Sequence, residues 1–267
     1  MSPSGPPLGP WQVDRLGTVQ STNTYLLERA RQGAPAGLVA VADHQTAGRG
    51  RLGRRWEAPP GTSLLMSVLL RPVLEPDRLY LCTAAVALAA ADACRSAAGV
   101  VAGVKWPNDL LVGGRKVAGI LADSDPGAPG GLPGSVAVVV GIGVNVDWPG
   151  PDDAGGTCLT MEAGTPVGRE PLMEALLAGL APRVEALHSA SGRRHVADEL
   201  RRRCATLGQL VRVTLADRSV EGVAVDLTPE GHLVVDAADG RCTVTAGDVV
   251  HLRPADPPPA SGPSGAN

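Results

Sequence analysis

The sequence predicts an α+β protein, with a mixed sheet backed by helices and a small C-terminal β-barrel. Two observations carry this. Between residues 11 and 206, short apolar runs of strand composition are interleaved with longer segments of helical texture. After Leu207-Gly208 the chain changes to short alternating stretches punctuated by turn residues, the pattern of a barrel of about fifty residues. With 267 residues there is room for one large unit and one small one. We therefore expect a large domain over 11–206 and a barrel over 207–254. The segments 1–10 and 255–267 are rich in Pro, Gly and Ser and are expected to be disordered, because they bury too little apolar surface to offset ordering entropy.

Each element has a local reason. Val13 to Leu16 reads as a strand leading to a helix near Ser21, where Ser21 and Thr22 are good capping residues and Gly33 is a stop. Leu38 to Ala42 and Ser63 to Leu70 are apolar strands flanking a glycine- and arginine-rich loop. Asp77 to Ala98 is a long Ala-rich helix. Leu110 to Val112 and Arg115 to Leu121 flank Gly113-Gly114, the composition of a two-residue hairpin turn. A regular hairpin pairs Leu111 with Lys116 and Asp109 with Ala118, so that Asp109 and Lys116 become diagonal neighbours roughly 7–8 Å apart, with room for a phosphate between them. Ser135 to Val146 is a further buried strand, and residues from Glu170 to Ala205 read as helical. The barrel strands are Leu210 to Leu215, Val220 to Leu227, His232 to Val235, Cys242 to Thr245 and Val249 to Leu252.

Composition excludes several classes. Hydrophobic residues make up 44%, enough for a core, yet Phe is absent and aromatics are 2%, so aliphatic and Ala packing must fill it. The net charge of −3 argues against a general nucleic-acid binder, and few aromatics leave little platform for stacking RNA bases. The five cysteines are scattered without CxxC spacing, which predicts free thiols in a reducing compartment. The histidines form no HExxH pattern, so no protein-held metal is expected. No secretory signal is read at the start, and the apolar run at Ala84 to Ala91 reads as too short to cross a bilayer. These features predict a soluble cytoplasmic protein.

The chemistry is concentrated in two segments. Gly48-Arg49-Gly50-Arg51-Leu52-Gly53-Arg54-Arg55-Trp56 places four permanent cations on a loop whose glycines let the backbone close around a ligand. Guanidinium forks suit phosphate and carboxylate oxygens. The letters match GxGxxG, but a dinucleotide fingerprint needs a helix opening directly after the glycines. Trp56-Glu57-Ala58-Pro59-Pro60 cannot supply one. No P-loop, kinase element or GxSxG occurs. The second segment is Lys105-Trp106-Pro107-Asn108-Asp109, followed by Arg115-Lys116-Val117-Ala118-Gly119. Trp106 by itself reads as packing at a strand end, Ser21 and Thr22 as helix caps, and Asn145 equally as a turn or a site residue.

Taken together, Ser21-Thr22-Asn23, Gln45-Thr46-Ala47-Gly48-Arg49-Gly50-Arg51-x-Gly53-Arg54-x-Trp56, Lys105-Trp106-Pro107-Asn108-Asp109, Lys116-x-Ala118-Gly119-Ile120-Leu121 and Gly141-Ile142-Gly143-x-Asn145 resemble the signature blocks of biotin–protein ligases, in that family's order and spacing, over residues 13 to 252. The resemblance implies a class II aminoacyl-tRNA synthetase-like catalytic core and an SH3-like C-terminal barrel. Some members carry an N-terminal DNA-binding winged helix; with only about ten residues ahead of the first strand, we expect no direct DNA-binding repressor role here. It also implies two steps: biotin's carboxylate attacks the α-phosphorus of ATP, and a carrier-protein lysine then takes the biotinyl group from biotinyl-5′-AMP.

By this resemblance Lys116 bridges the biotin carboxylate and the α-phosphate, Arg49 and Arg51 close over them, and Arg54 reaches the distal phosphates. Lys116 and Arg51 are the catalytic candidates. Ser21, Thr22, Asn23 and Gln45, with Gly50 and Gly119, complete the biotin pocket, whose ureido ring needs both donors and acceptors. Trp56, Asn108, Asp109 and Asn145 belong to the ATP site, with Trp56 near the adenine. Mg²⁺ accompanies ATP, and Asp109 is a candidate for an indirect contact with it. The implied partner is a biotin carboxyl carrier domain of a carboxylase, with no DNA and no membrane, and the chain itself a monomer or a weak ligand-induced homodimer. The arginine loop is expected to be mobile when empty and to order on ligand binding. Two other readings stay open: a lipoate–protein ligase of the same fold, and a non-catalytic sensor of biotin or its adenylate.

Overall fold

The computed structural model describes residues 10–252 except 216, 217 and 246; the terminal segments expected to be disordered lie, apart from Pro10, outside the described residues. A seven-stranded mixed sheet runs in the order β1-β2-β3-β7-β6-β5-β4. Its strands are β1 (Gln12–Val19), β2 (Leu38–Gln45), β3 (Ser63–Leu70), β4 (Gly103–Lys105), β5 (Asp109–Val112), β6 (Arg115–Asp125) and β7 (Ala137–Asn145). β1 and β2 are parallel and joined through helix α1 (Thr22–Arg31); the other neighbours are antiparallel.

Side-chain alternation assigns the two faces. Val39, Leu64, Met66 and Val68 join the main core with α2 (Tyr80–Ala98), α4 (Arg169–Ala186) and α5 (Ala190–Arg203), whereas Leu38, Ala40, Leu69 and Val139 pack under α1. Because helices cover both faces, β3 is buried at every position. By length and composition alone the stretch Pro76–Ala98, which includes α2, could cross a membrane. It is a core helix: an 18-residue window of mean hydropathy 1.3 is 67% buried within the protein. Its alanines let α4 pack closely. α2 begins at Tyr80 because Pro76–Arg78 forms a 3-10 turn ahead of it.

The helical stretch expected from Glu170 to Ala205 is two helices. Ser189 breaks it by accepting a hydrogen bond from Gly192 N–H at 3.0 Å as the cap of α5. Two elements were not expected, the three-residue β4 and the short helix α3 (Leu159–Ala163).

The C-terminal unit is a five-stranded antiparallel sheet in the order β11-β10-β9-β8-β12, comprising β8 (Leu210–Thr214), β9 (Ser219–Leu227), β10 (Leu233–Ala237), β11 (Gly240–Val244) and β12 (Asp248–His251). Val244 and Val249, from its two edge strands, share one core with Val211, Val213, Ala224 and Val235, so the sheet curls on itself. Among the described residues no ladder joins the two edges. Trp106 belongs to this core, 6% exposed, and its indole N–H donates to Gly231 O at 2.8 Å. The packing role read for Trp106 thus has a definite content: it anchors the C-terminal sheet against the larger unit.

Candidate functional site

α1 covers only part of its face of the large sheet. Its N-terminus stops above Ser67 and Gly141, and the strip beyond it, formed by Gly141 and Gly143 on β7 and Gly119 on β6, is the floor of a cleft. Glycine is required there by space. A Cβ at Gly141 would lie 2.0 Å from Asn23 Oδ1, and one at Gly143 only 2.4 Å from the Trp56 ring. Gly119 and Gly143 pair directly across β6 and β7, and the Trp56 indole lies over both. Its Nε1–H is buried without a partner.

At the α1 end, Ser21 caps the helix by accepting from Thr24 N–H at 3.5 Å. Gln45 Oε1 accepts from Thr22 N–H at 2.8 Å and from the Thr22 hydroxyl at 3.1 Å. That fixes the amide's orientation and leaves Nε2 as its free donor. Asn23 is fully engaged: Nδ2 donates to Leu121 O (3.1 Å) and Asp123 Oδ2 (2.8 Å), and Oδ1 lies 2.7 Å from Ser67 Oγ. Ser67 Oγ is also 2.7 Å from Thr22 Oγ1. Asn23 therefore ties the pocket together and has no amide proton left to give.

The arginine loop is a short hairpin. Arg49 faces Arg55, Trp56 N–H donates to Gly48 O at 3.0 Å and Gly50 N–H to Arg54 O at 2.7 Å. Leu52 at the tip has φ 56° and is 71% exposed. Each arginine has a partner that relieves the like-charge repulsion. Arg49 is 3.4 Å from Asp123, and Arg55 donates to Thr46 O at 3.2 Å. Arg51 reaches Asn108 Oδ1 (3.2 Å) and Gly247 O (3.4 Å), and Arg54 pairs with Asp248. Half-burial pulls the Arg51 pKa down, against the opposing pull of Asp109 and Asp248. The hydrogen bond to Asp248 raises that of Arg54, and the same bond lowers that of Asp248.

The hairpin of β5 and β6 departs from the expected register. Leu111 pairs with Lys116 as expected, but a bulge follows, so Asp109 lies opposite Gly119 and not Ala118. The bulge lets Val117 and Ala118, adjacent in sequence, both point into the main core, which strict alternation between the two faces forbids. It also turns Lys116 onto the same face as Gly119. The two side chains meet across the intervening space: Lys116 Nζ is 2.7 Å from Asp109 Oδ1, and 5.6 Å from the Trp56 ring centroid. No phosphate fits between them until that ion pair opens. The contact is close but poorly aligned, since Asp109 Oδ1 is buried without a hydrogen bond.

The cleft, about 830 Å³ with its open mouth included, is lined by every expected site residue except Asn145. Asn145 lines an adjoining outer cleft, where its Nδ2 donates to Pro149 O and Thr157 O, both at 3.1 Å, and so holds the following loop. Lys116, Trp56, Arg54, Asp109 and Asp248 line both clefts. Three contributors escaped the sequence reading, Ser67, Asp123 and Asp248, and Lys105 was read only as part of its motif. Ser67 carried a signal, a hydroxyl inside an otherwise apolar eight-residue strand. No group of three His, Cys, Asp or Glu side chains capable of holding a metal occurs among the described residues.

A polar pocket joined through a lysine to a cationic cleft is the kind of site that can bring an acid and a phosphate ligand together, and comparison with known proteins gives the class as a ligase. Residues 16–145 match the model of the biotin/lipoate A/B protein ligase family, and residues 206–252 match that of the biotin protein ligase C-terminal domain. The chain is 37% identical over 253 residues to a biotin–(acetyl-CoA-carboxylase) ligase of Mycobacterium tuberculosis, covering 91% of this chain and 90% of that one. The chain belongs to the biotin protein ligase family. Among solved structures it resembles the biotin protein ligase of Aquifex aeolicus in complex with biotin and ATP (25% identity, TM-score 0.75, covering 91% and 99% of the two chains). It also resembles that of Leishmania major in complex with biotinyl-5-AMP (26%, TM-score 0.61, 88% and 99%).

Proposed function

We propose that this chain is an ATP-dependent biotin–protein ligase acting on the lysine of a biotin carboxyl carrier domain. The observation that carries the reading is the position of Lys116, which lines both the hydrogen-bonding pocket and the cationic cleft. An acid held in the first meets a nucleotide held in the second at its ammonium. The Ser21 hydroxyl keeps its own proton to donate, Gln45 offers Nε2 and Thr22 an oxygen. That is a set able to match a ureido group's carbonyl and N–H.

In the first step a carboxylate oxygen of biotin bonds to the α-phosphorus. The bond from that phosphorus to the bridging oxygen breaks, and diphosphate leaves with the electron pair. Two anions must meet, and the protein's part is to hold cations where charge accumulates. Lys116 exchanges Asp109 for the reacting oxygens, Arg49 and Arg51 close over the carboxylate and α-phosphate, and Arg54 leaves Asp248 for the distal phosphates. In the second step a carrier lysine amine attacks the anhydride carbonyl, giving an amide and AMP. Mg²⁺ would accompany ATP and offset phosphate charge, and Asp109, which lines both clefts, would contact it through water. Asp109 and Asp248 are the carboxylates facing the region where the nucleotide sits.

The reading divides the chain near residue 207 and places the protein in the cytoplasm, as its five free cysteines favour. Incubating the purified protein with ATP, labelled biotin and a carboxylase carrier domain tests it. Label on one lysine of the carrier is the expected result; label lost neither on omitting ATP nor on replacing that lysine would overturn it.

A further inference from the structure

Lys105 and Arg55 are the cations of the outer cleft without a carboxylate partner among the described residues, and Arg55 is turned back onto Thr46 O. β4 pairs Lys105 with Asp109, Asp109 pairs with Gly119, and Gly119 with Gly143. These residues form one row across the sheet, so the Lys105 side chain stands on the face that carries Lys116 and Trp56. Two carboxylates lie beside it, and both are committed: Asp109 is 2.7 Å from Lys116, and Asp248 is paired with Arg54. Among the described residues Lys105 makes no ion pair of its own, although it is half-buried. An ammonium kept out of water without a carboxylate is costly unless a ligand supplies the charge. Burial lowers its pKa, and the nearby Asp109 and Asp248 oppose that shift.

Its placement selects the ligand. Lys116 lines both clefts, whereas Lys105 lines only the outer one. In a displacement at phosphorus the attacking and leaving oxygens lie roughly in line on opposite sides. With the acid in the inner pocket and the α-phosphorus at Lys116, the leaving group is directed outward, toward Lys105. We infer that Lys105 binds the leaving diphosphate, that is, the β- and γ-phosphates of ATP, and neutralises the charge that develops there as the bond to the α-phosphorus breaks. The inference rests on the ligase reading for its reaction, but its ligand can be tested alone.

The probe is inorganic diphosphate, titrated by calorimetry into the intact chain, Lys105→Met and Lys105→Arg, with melting curves to establish that each variant folds. Loss of one charge-assisted contact should weaken diphosphate binding by about 10- to 100-fold in Lys105→Met, with Lys105→Arg recovering most of it. A second readout separates binding from mere structure. Transfer to the carrier from ready-made biotinyl-5′-AMP involves no diphosphate and should stay within twofold of the unsubstituted protein. Equal diphosphate affinity in Lys105→Met, or a parallel loss of transfer from the ready-made adenylate, would overturn the assignment. Lys105-dependent diphosphate binding without biotin-dependent activation would instead leave it standing and refute the choice of acid.

Discussion

Replacing Gly143 by Ala tests whether the glycine floor exists to seat Trp56. The added Cβ would lie 2.4 Å from Trp56 Cε2 and 2.6 Å from Cζ2. Ordinary Cβ contacts begin near 3.4 Å, so the indole must retreat by about 1 Å. The strand itself has no reason to suffer. Gly143 lies within the ladders to Leu65 and Gly119, and its φ is outside the left-handed range that favours glycine. Ala at a compatible backbone position even stabilises by about 0.4–1 kcal/mol through the unfolded state. The displaced group is therefore a loop side chain that lines both clefts and lies 5.6 Å from the Lys116 ammonium. A misplacement of about 1 Å at reacting groups costs roughly 10²-fold in rate, or about 2.7 kcal/mol. We expect kcat/KM for biotin in diphosphate exchange to fall by that order while the melting temperature is held or raised. Activity within twofold of the unsubstituted enzyme would refute the reasoning, as would a lost fold.

Other outcomes follow from the same geometry. Lys116→Met removes the ammonium shared by the two clefts and should lower adenylation by ~10²–10³-fold, measured as single-turnover formation of biotinyl-5′-AMP. Arg51→Gly should retain some adenylation but release the intermediate, since the loop loses its tie to Asn108 and Gly247; labelling of a bystander protein's lysines measures this, and no labelling while adenylation persists would contradict it. Trp106→Ala should cost about 3–5 kcal/mol in chemical denaturation, because it empties a buried site and orphans Gly231 O. Burial lowers the His251 pKa, with Lys105 adding to the effect. The unfolded chain therefore takes up a proton first, below about pH 6.5. Stability from neutral His251 is full above that value and lost as pH falls toward the lower folded pKa. His251→Gln should flatten that part of the stability–pH curve.

What the sequence made legible was chemistry type more than geometry. The arginine loop, the Lys105 to Asp109 segment and Lys116 were recognisable because phosphate and carboxylate chemistry demands those side chains near mobile backbone. The strands and the long helix were readable because their burial follows simple periods. The hairpin register was not. Counting in twos from Gly113-Gly114 assumes regular alternation, and nothing local reveals that Val117 and Ala118 are both drawn into the core. Asn23 was named for the biotin pocket only through the resemblance of its Ser-Thr-Asn block; the fold shows its amide donors engaged by Leu121 and Asp123. Asp248 was beyond local reading, being 194 residues from the Arg54 it pairs with. The mobility expected of an empty arginine loop also omitted such remote partners. Lys105 stood in plain sight within a motif, but its availability depends on which acids its neighbours have already taken.

The central claim, that the pocket beneath Trp56 activates biotin at Lys116, is tested most directly by exchange of labelled diphosphate into ATP with biotin, lipoate or octanoate as the acid. Exchange that requires biotin and is absent with the other two, and that falls by ~10²–10³-fold in Lys116→Met, is the expected result. Exchange driven by lipoate would move the substrate to the sister ligase activity, and measurable biotin binding with no exchange for any acid would contradict the account.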